Sequence, residues 1–321
     1  MTYAIEAEGL VKRFGETTAL AGADLAVREG TVLGVLGPNG AGKTTAVRIL
    51  ATLTRADEGW ATVGGFDVVT QAHEVRQLIA LTGQYAAVDE GLTGTENLVM
   101  IGRLLNRSRA DARTRAAGLL ERFELDEAGD RAVRTYSGGM RRRLDIAASL
   151  VGDPAVLYLD EPTTGLDPRA RESLWNAVRA LAEDGTTILL TTQYLEEADQ
   201  LADAIAVIDR GRVVATGTSN ELKAQVGGQV LEVSPIREDD AAAVTRVMAE
   251  LTGKEPETTG TTISAAVADP AVPPAIYQRL TERGVLLAEF AVRRASLDEV
   301  FFALTGHKAE TEDDDTERSA A

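Results

Sequence analysis

Eight consecutive residues, Gly37-Pro38-Asn39-Gly40-Ala41-Gly42-Lys43-Thr44, have the types and spacing of a phosphate-binding loop. Glycines let successive amides turn toward an anion, Lys43 can reach the β and γ phosphates, and the Thr44 hydroxyl can ligate magnesium. A second segment, residues 155–162, is an apolar run that delivers Asp160 and Glu161 at its polar end. Such strand tips are where ligands bind in α/β sheets. Asp160 suits a magnesium shell, and Glu161, pointing the other way along an alternating backbone, suits proton abstraction from an attacking water. The third segment is Tyr136-Ser137-Gly138-Gly139-Met140, just ahead of an expected helix over 141–151. Ser137 reads as its N-cap, and the two glycines leave amides open to an incoming anion.

These groups need elements to hold them. Residues 31–36 read as a strand and 45–53 as a helix, the strand–loop–helix setting that a phosphate loop requires. From residue 5 to about 222, short apolar runs alternate with longer amphipathic stretches, which predicts a mainly parallel sheet covered by helices. Within it, residues 86–150 read as an inserted, arginine-rich helical lobe. Beyond Gly227-Gly228 the expected order is strand 230–234, helix 240–251, strands 256–258 and 262–268, helix 274–283 and strand 285–292. That βαββαβ order fits a small ferredoxin-like unit. A last helix is expected from Ser296, which forms a capping box with Glu299. The expected domains are thus 1–222, 223–306 and an acidic, disordered tail over 307–321.

Composition narrows the chemistry. A chain of 321 residues with 44% hydrophobic and 26% charged side chains can bury two ordinary cores. With no cysteine there are no disulfides, thiolate metal sites or cysteine nucleophiles, and His73 and His307 are too few for a histidine-built metal centre. A net charge of −17 opposes binding to polyphosphate backbones, so no nucleic-acid partner is expected. The first ten residues lack the basic and apolar regions of a signal peptide, and no apolar run approaches the roughly 20 residues that span a bilayer. Any membrane contact is therefore expected to use a partner.

In their order along the chain, these motifs resemble the ATP-binding subunit of an ATP-binding cassette (ABC) transporter over about residues 5–222. The resemblance implies an α/β fold: a P-loop nucleotide-binding domain with a RecA-like core and a helical subdomain, followed by the small α+β ferredoxin-like domain. It implies ATP and Mg2+ as cofactors. Walker A is Gly37, Pro38, Asn39, Gly40, Ala41, Gly42, Lys43 and Thr44, continuing into Thr45. Gln84 stands at the glutamine loop, where it would reach the metal and the attacking water. Ser137, Gly138 and Gly139 form the signature, Asp160 closes Walker B, Glu161 is catalytic, and Asp167 ends the D-loop. Phe14 resembles the aromatic residue that stacks on adenine.

One position departs from the family pattern. Where a switch histidine is usual, Thr191-Thr192 leads into Gln193-Tyr194. Glutamine donates a neutral hydrogen bond but neither becomes cationic nor relays a proton. That glutamine, together with Ser296-Leu-Asp-Glu-Val-Phe301, narrows the likeness to daunorubicin/doxorubicin-resistance-type exporter subunits. The likeness implies a homodimer with two composite sites, a separate multi-span membrane permease that handles a drug-like molecule, and a peripheral position on the cytoplasmic side of the cell membrane. It also implies a regulatory or docking role for residues 223–306. The rival reading is an ABC ATPase that serves an assembly scaffold without transport. Nucleic-acid ATPases are disfavoured by the charge, which leaves Arg141-Arg142-Arg143 as a helix surface or interdomain pairing. GTP switches are disfavoured by the lack of an Asn-Lys-x-Asp motif.

Overall fold

The computed structural model describes residues 2–83, 88–225, 229–294 and 296–306. Gln84 and the acidic tail lie outside them. The described chain forms two compact units divided between Thr216 and Gly217, so the helix after Thr218 joins the second unit rather than the first.

The first unit opens with two long strands, β1 (Tyr3–Phe14) and β2 (Thr17–Arg28), followed by β3 (Val32–Leu36) and helix α1 (Lys43–Leu50). Then come β4 (Glu58–Val63), β5 (Phe66–Asp67), α2 (Ala72–Leu78) and β6 (Ile79–Thr82). The helical lobe holds α3 (Gly94–Leu104), α4 (Arg109–Arg122) and α5 (Gly138–Ser149). The chain returns through β7 (Val156–Asp160), α6 (Pro168–Glu183), β8 (Thr187–Thr192), α7 (Leu195–Leu201), β9 (Ala204–Asp209) and β10 (Arg212–Gly217).

These strands make two sheets. The larger has the order β10-β9-β3-β8-β7-β6, and every pairing from β9 to β6 is parallel. Strands β3, β7 and β8 are buried along their whole length, as a sheet covered on both faces demands. Alternate residues feed opposite cores. Leu157, Leu159, Ile188 and Leu190 pack with the helical lobe and α6, whereas Val156, Tyr158 and Leu189 pack with α1 and the N-terminal strands.

The second sheet, β2-β1-β4-β5, is antiparallel and is an addition to the mainly parallel sheet expected. Its strands carry the alternation of half-buried sheets: Leu20, Ala23, Leu25 and Val27 of β2 are buried between more exposed neighbours.

The second unit comprises α8 (Ser219–Gln225), β11 (Gln229–Pro235), α9 (Ala241–Thr252), β12 (Glu257–Thr259), β13 (Thr262–Val267), α10 (Val272–Glu282), β14 (Leu287–Arg294) and α11 (Leu297–Thr305). Its antiparallel sheet has the order β12-β13-β11-β14, the ferredoxin-like arrangement expected. Val233, Val247, Met248, Ile263 and Ile276 lie in its core. Helix α11 starts in the expected capping box, with the Ser296 hydroxyl accepting from the Glu299 amide and the Glu299 carboxylate accepting from the Ser296 amide. Arg293 ties that cap to the sheet, donating to Glu232 at 2.6 Å and to Glu299 at 2.7 Å. Both carboxylates hold the guanidinium firmly charged.

Candidate active site

The glycine-rich loop leaves the end of β3 and turns into α1. Two glycines there admit no side chain. A Cβ on Gly37 would stand 2.3 Å from the Ile208 carbonyl oxygen, and one on Gly42 would stand 2.4 Å from the Ala19 carbonyl oxygen. Gly42 also has φ +109°, a conformation that L residues rarely adopt. The loop is tied to the sheet through Gly37 N–H to Thr192 O and to the β9–β10 turn through Gly211 N–H to Ala41 O.

Lys43 is 4% exposed, and its ammonium donates to the carbonyls of Gly37 at 2.8 Å and Pro38 at 3.2 Å. It also meets Glu161 Oε1 at 3.2 Å, which joins the loop to the tip of β7. Beside it, the Thr44 hydroxyl donates to Asp160 Oδ1 at 3.2 Å. A hydroxyl and a carboxylate next to a phosphate loop are hard oxygen donors, a set that fits Mg2+ completed by water and phosphate oxygens. The residues present therefore fit the metal.

Thr191, which the sequence reading passed over, organises both acids. Its hydroxyl donates to Asp160 Oδ1 at 2.6 Å and accepts from the Glu161 amide at 3.1 Å. That amide also meets the Thr191 carbonyl, so β8 sets the turn after β7. Glu161 has φ +48°, an uncommon conformation for a residue other than glycine. The sequence signal for Thr191 is a polar pair at the end of an otherwise apolar strand. Gln193 follows directly and is buried.

Ser137 is the N-cap of α5, its hydroxyl accepting from the Met140 amide at 3.2 Å. The helix begins at Gly138, three residues earlier than expected. Gly138 faces open space, but a Cβ on Gly139 would lie 2.7 Å from the Ala170 Cβ, so that glycine also serves packing against α6. Asp167 caps α6 by accepting from the Ala170 amide. Phe14 ends β1 with its ring half exposed and the Lys12 ammonium 5.4 Å from the ring centroid, an accessible aromatic surface. Gln84 lies outside the described residues.

The arginine run is only in part the helix-surface pairing expected. Arg141 pairs with Glu90, and Arg143 reaches Glu124 and the Phe123 carbonyl. Arg142 turns inward, against expectation.

Behind the site, the fully buried Glu197 accepts from the Trp175 indole N–H at 3.4 Å. Burial raises its carboxyl from an ordinary value of 4.5 to about 7, while Thr192, Thr163, Trp175 and Arg171 oppose the rise. Between those two values the folded chain keeps a proton that the unfolded chain releases, so this group lowers stability progressively as pH rises through that window. A shift of this size corresponds to ~3 kcal/mol. Glu197→Gln is therefore expected to gain stability relative to wild type as pH goes from 5 to 8. Urea unfolding of the first unit measures it, and a difference independent of pH would contradict the assignment.

The family model described as ABC transporter matches residues 20–164, and that of the ATP-binding protein DrrA1-3-like, C-terminal domain, matches 217–305. The chain is 56% identical over 311 residues to the daunorubicin resistance ATP-binding protein DrrA2 of Streptomyces coeruleorubidus, covering 96% of this chain and 97% of that protein. It is 53% identical to the daunorubicin/doxorubicin resistance ATP-binding protein DrrA of Streptomyces peucetius, covering 99% and 97%. Among solved structures, it is similar to an ATP-binding cassette of an ABC transporter in its ADP conformation, with TM-score 0.63 and 28% identity over 69% of this chain and 93% of that one. It is also similar to a dimeric ATP-binding cassette in a post-hydrolysis state bound to ADP and Pi, with TM-score 0.60 and 25% identity over 67% and 98%.

Proposed function

Because the chain belongs to the daunorubicin/doxorubicin-resistance family of ABC-transporter ATP-binding subunits, we propose that it drives drug efflux by clamping ATP between two copies of itself. It is an ATPase subunit of an exporter. The observation that carries the reading is the convergence of Lys43, Thr44, Asp160 and Glu161 at the glycine-rich loop, with both acids aligned by Thr191.

Lys43 and the backbone N–H groups of residues 39–44 bind the phosphates, and Phe14 stacks on adenine. Thr44 and Asp160, with Gln84, would hold Mg2+, which neutralises charge on the β and γ oxygens when bound. Lys43 now shares its ammonium between Glu161 and two loop carbonyls. An incoming γ-phosphate competes for that ammonium and releases the Glu161 carboxylate to take a proton from water. Gln193 donates a neutral hydrogen bond to the γ-phosphate.

One loop leaves a face of the γ-phosphate wet, and phosphoryl transfer benefits from excluded water. Ser137, Gly138 and Gly139 of a second copy, with Asp167 nearby, cover that face in a head-to-tail pair. The dimeric state of a similar solved cassette supports the pairing of two copies. Hydrolysis removes the bridging phosphate, and the pair separates. Among the described residues no helix is long and apolar enough to cross a membrane. The kinship with exporter ATP-binding subunits supports a separate permease as the drug's path, with this chain at its cytoplasmic side.

The test is ATP-dependent uptake of anthracycline drugs into inverted vesicles that contain the chain and its membrane-spanning partner; vesicles that hydrolyse ATP without uptake would overturn it. In the same vesicles Gln193→Ala is expected to slow ATP turnover about 100-fold, the low end for a lost positioned donor. Unchanged turnover would remove Gln193 from the site.

A further inference from the structure

Arg142 lies on α5, the helix capped by Ser137, and its side chain is only 12% exposed. Its guanidinium reaches three carbonyl oxygens on two separate stretches of chain. Nε donates to Pro162 at 2.9 Å, one terminal nitrogen to Asp160 at 3.2 Å, and the other to Gly83 at 2.6 Å. Asp145, one turn further along α5, lies 3.5 Å from that last nitrogen. The carbonyls of Asp160 and Pro162 belong to the residues on either side of Glu161. Glu161 itself sits at φ +48°, and such conformations persist only where surrounding contacts enforce them. Gly83 ends the segment that leads into Gln84.

We propose that Arg142 is a positioning residue for hydrolysis: its planar fork fixes the carbonyls of the two residues on either side of Glu161, which sets the turn that presents the carboxylate at the phosphate loop, and ties that turn to the signature helix. This rests on the ATPase reading given above. A guanidinium spans three acceptors in one plane, and a lysine ammonium, a point charge on a flexible stem, does not reproduce that geometry. The neighbouring arginines do not substitute for it, because they pair with Glu90 and Glu124.

The test is a double-mutant cycle with Arg142→Lys and Glu161→Gln, with Arg142→Gln as a second variant, read by steady-state and single-turnover ATP hydrolysis. Binding of a fluorescent ATP analogue checks that each variant retains its site. In the wild-type background kcat is expected to fall about 10-fold to 100-fold in both Arg142 variants, as for a misplaced catalytic group, with analogue affinity retained. In the Glu161→Gln background the same substitutions are expected to cost almost nothing, because the group they position is already disabled. The proposal is overturned by wild-type kcat in Arg142→Lys, by an equal loss in both backgrounds, or by a loss that follows analogue affinity. A parent chain that fails to hydrolyse ATP removes the ATPase reading and this proposal together; a parent that hydrolyses confines any failure to Arg142.

Discussion

Glu161→Gln is expected to abolish most ATP turnover while leaving ATP binding intact. The carboxamide keeps the size of the side chain and the backbone bond to Thr191, but it cannot accept a proton from water. Loss of a general base costs about 100-fold to 10,000-fold. Binding should survive because the loop amides, Lys43 and Thr44 are untouched, and Lys43 loses a competitor for its ammonium. With hydrolysis blocked, the ATP-bound pair should accumulate as a dimer in magnesium and saturating ATP, visible by size-exclusion chromatography with light scattering. A monomer under those conditions would overturn the two-copy mechanism, and turnover near wild type would remove Glu161 from the role of base.

Lys43→Ala is expected to fail earlier, at phosphate binding. The substitution removes a buried ammonium that contacts two loop carbonyls and Glu161. Its loss leaves the Glu161 carboxylate without this partner at the place where the γ-phosphate must lie, so repulsion replaces attraction. Removing one preorganised charge from such a site costs about 100-fold to 1,000-fold in rate, with weakened nucleotide binding in addition. Drug extrusion with the membrane partner present should disappear. Isothermal titration and vesicle uptake measure the two effects, and extrusion by Lys43→Ala would contradict an ATP-driven mechanism. The two variants thus separate binding from chemistry: Glu161→Gln holds ATP and stalls, whereas Lys43→Ala does not hold it.

Where a function depends on residues adjacent in the chain, it was legible in the sequence. The loop from Gly37 to Thr44, the Ser137 cap and the Ser296 capping box encode their geometry within a few residues, and the structure displays each of them. The ferredoxin-like unit was legible for a related reason, since its strands and helices alternate with clear periodicity. Contacts between distant segments were hidden. Nothing near Thr191 says that its hydroxyl meets Asp160 across two paired strands, because that requires the parallel order of β7 and β8. Arg142 is indistinguishable by type from Arg141 and Arg143, and only the facing of α5 turns it inward. The antiparallel N-terminal sheet was blurred by small residues such as Ala21, Gly22 and Ala23, which weaken the alternation that marks a half-buried strand.

The Thr191 hydroxyl has one proton, and Asp160 receives it; only lone pairs remain for the amide of Glu161. Asp160 and Glu161, the acids proposed to hold the metal and to take the proton, are therefore wired through a strand that supplies neither. A serine at that spot would keep the wiring and drop a methyl group, whereas a valine would cut it at nearly constant bulk. Evolution can thus retune the firing rate of such a motor from the middle of the sheet, without altering any surface that fuel, twin or cargo touches.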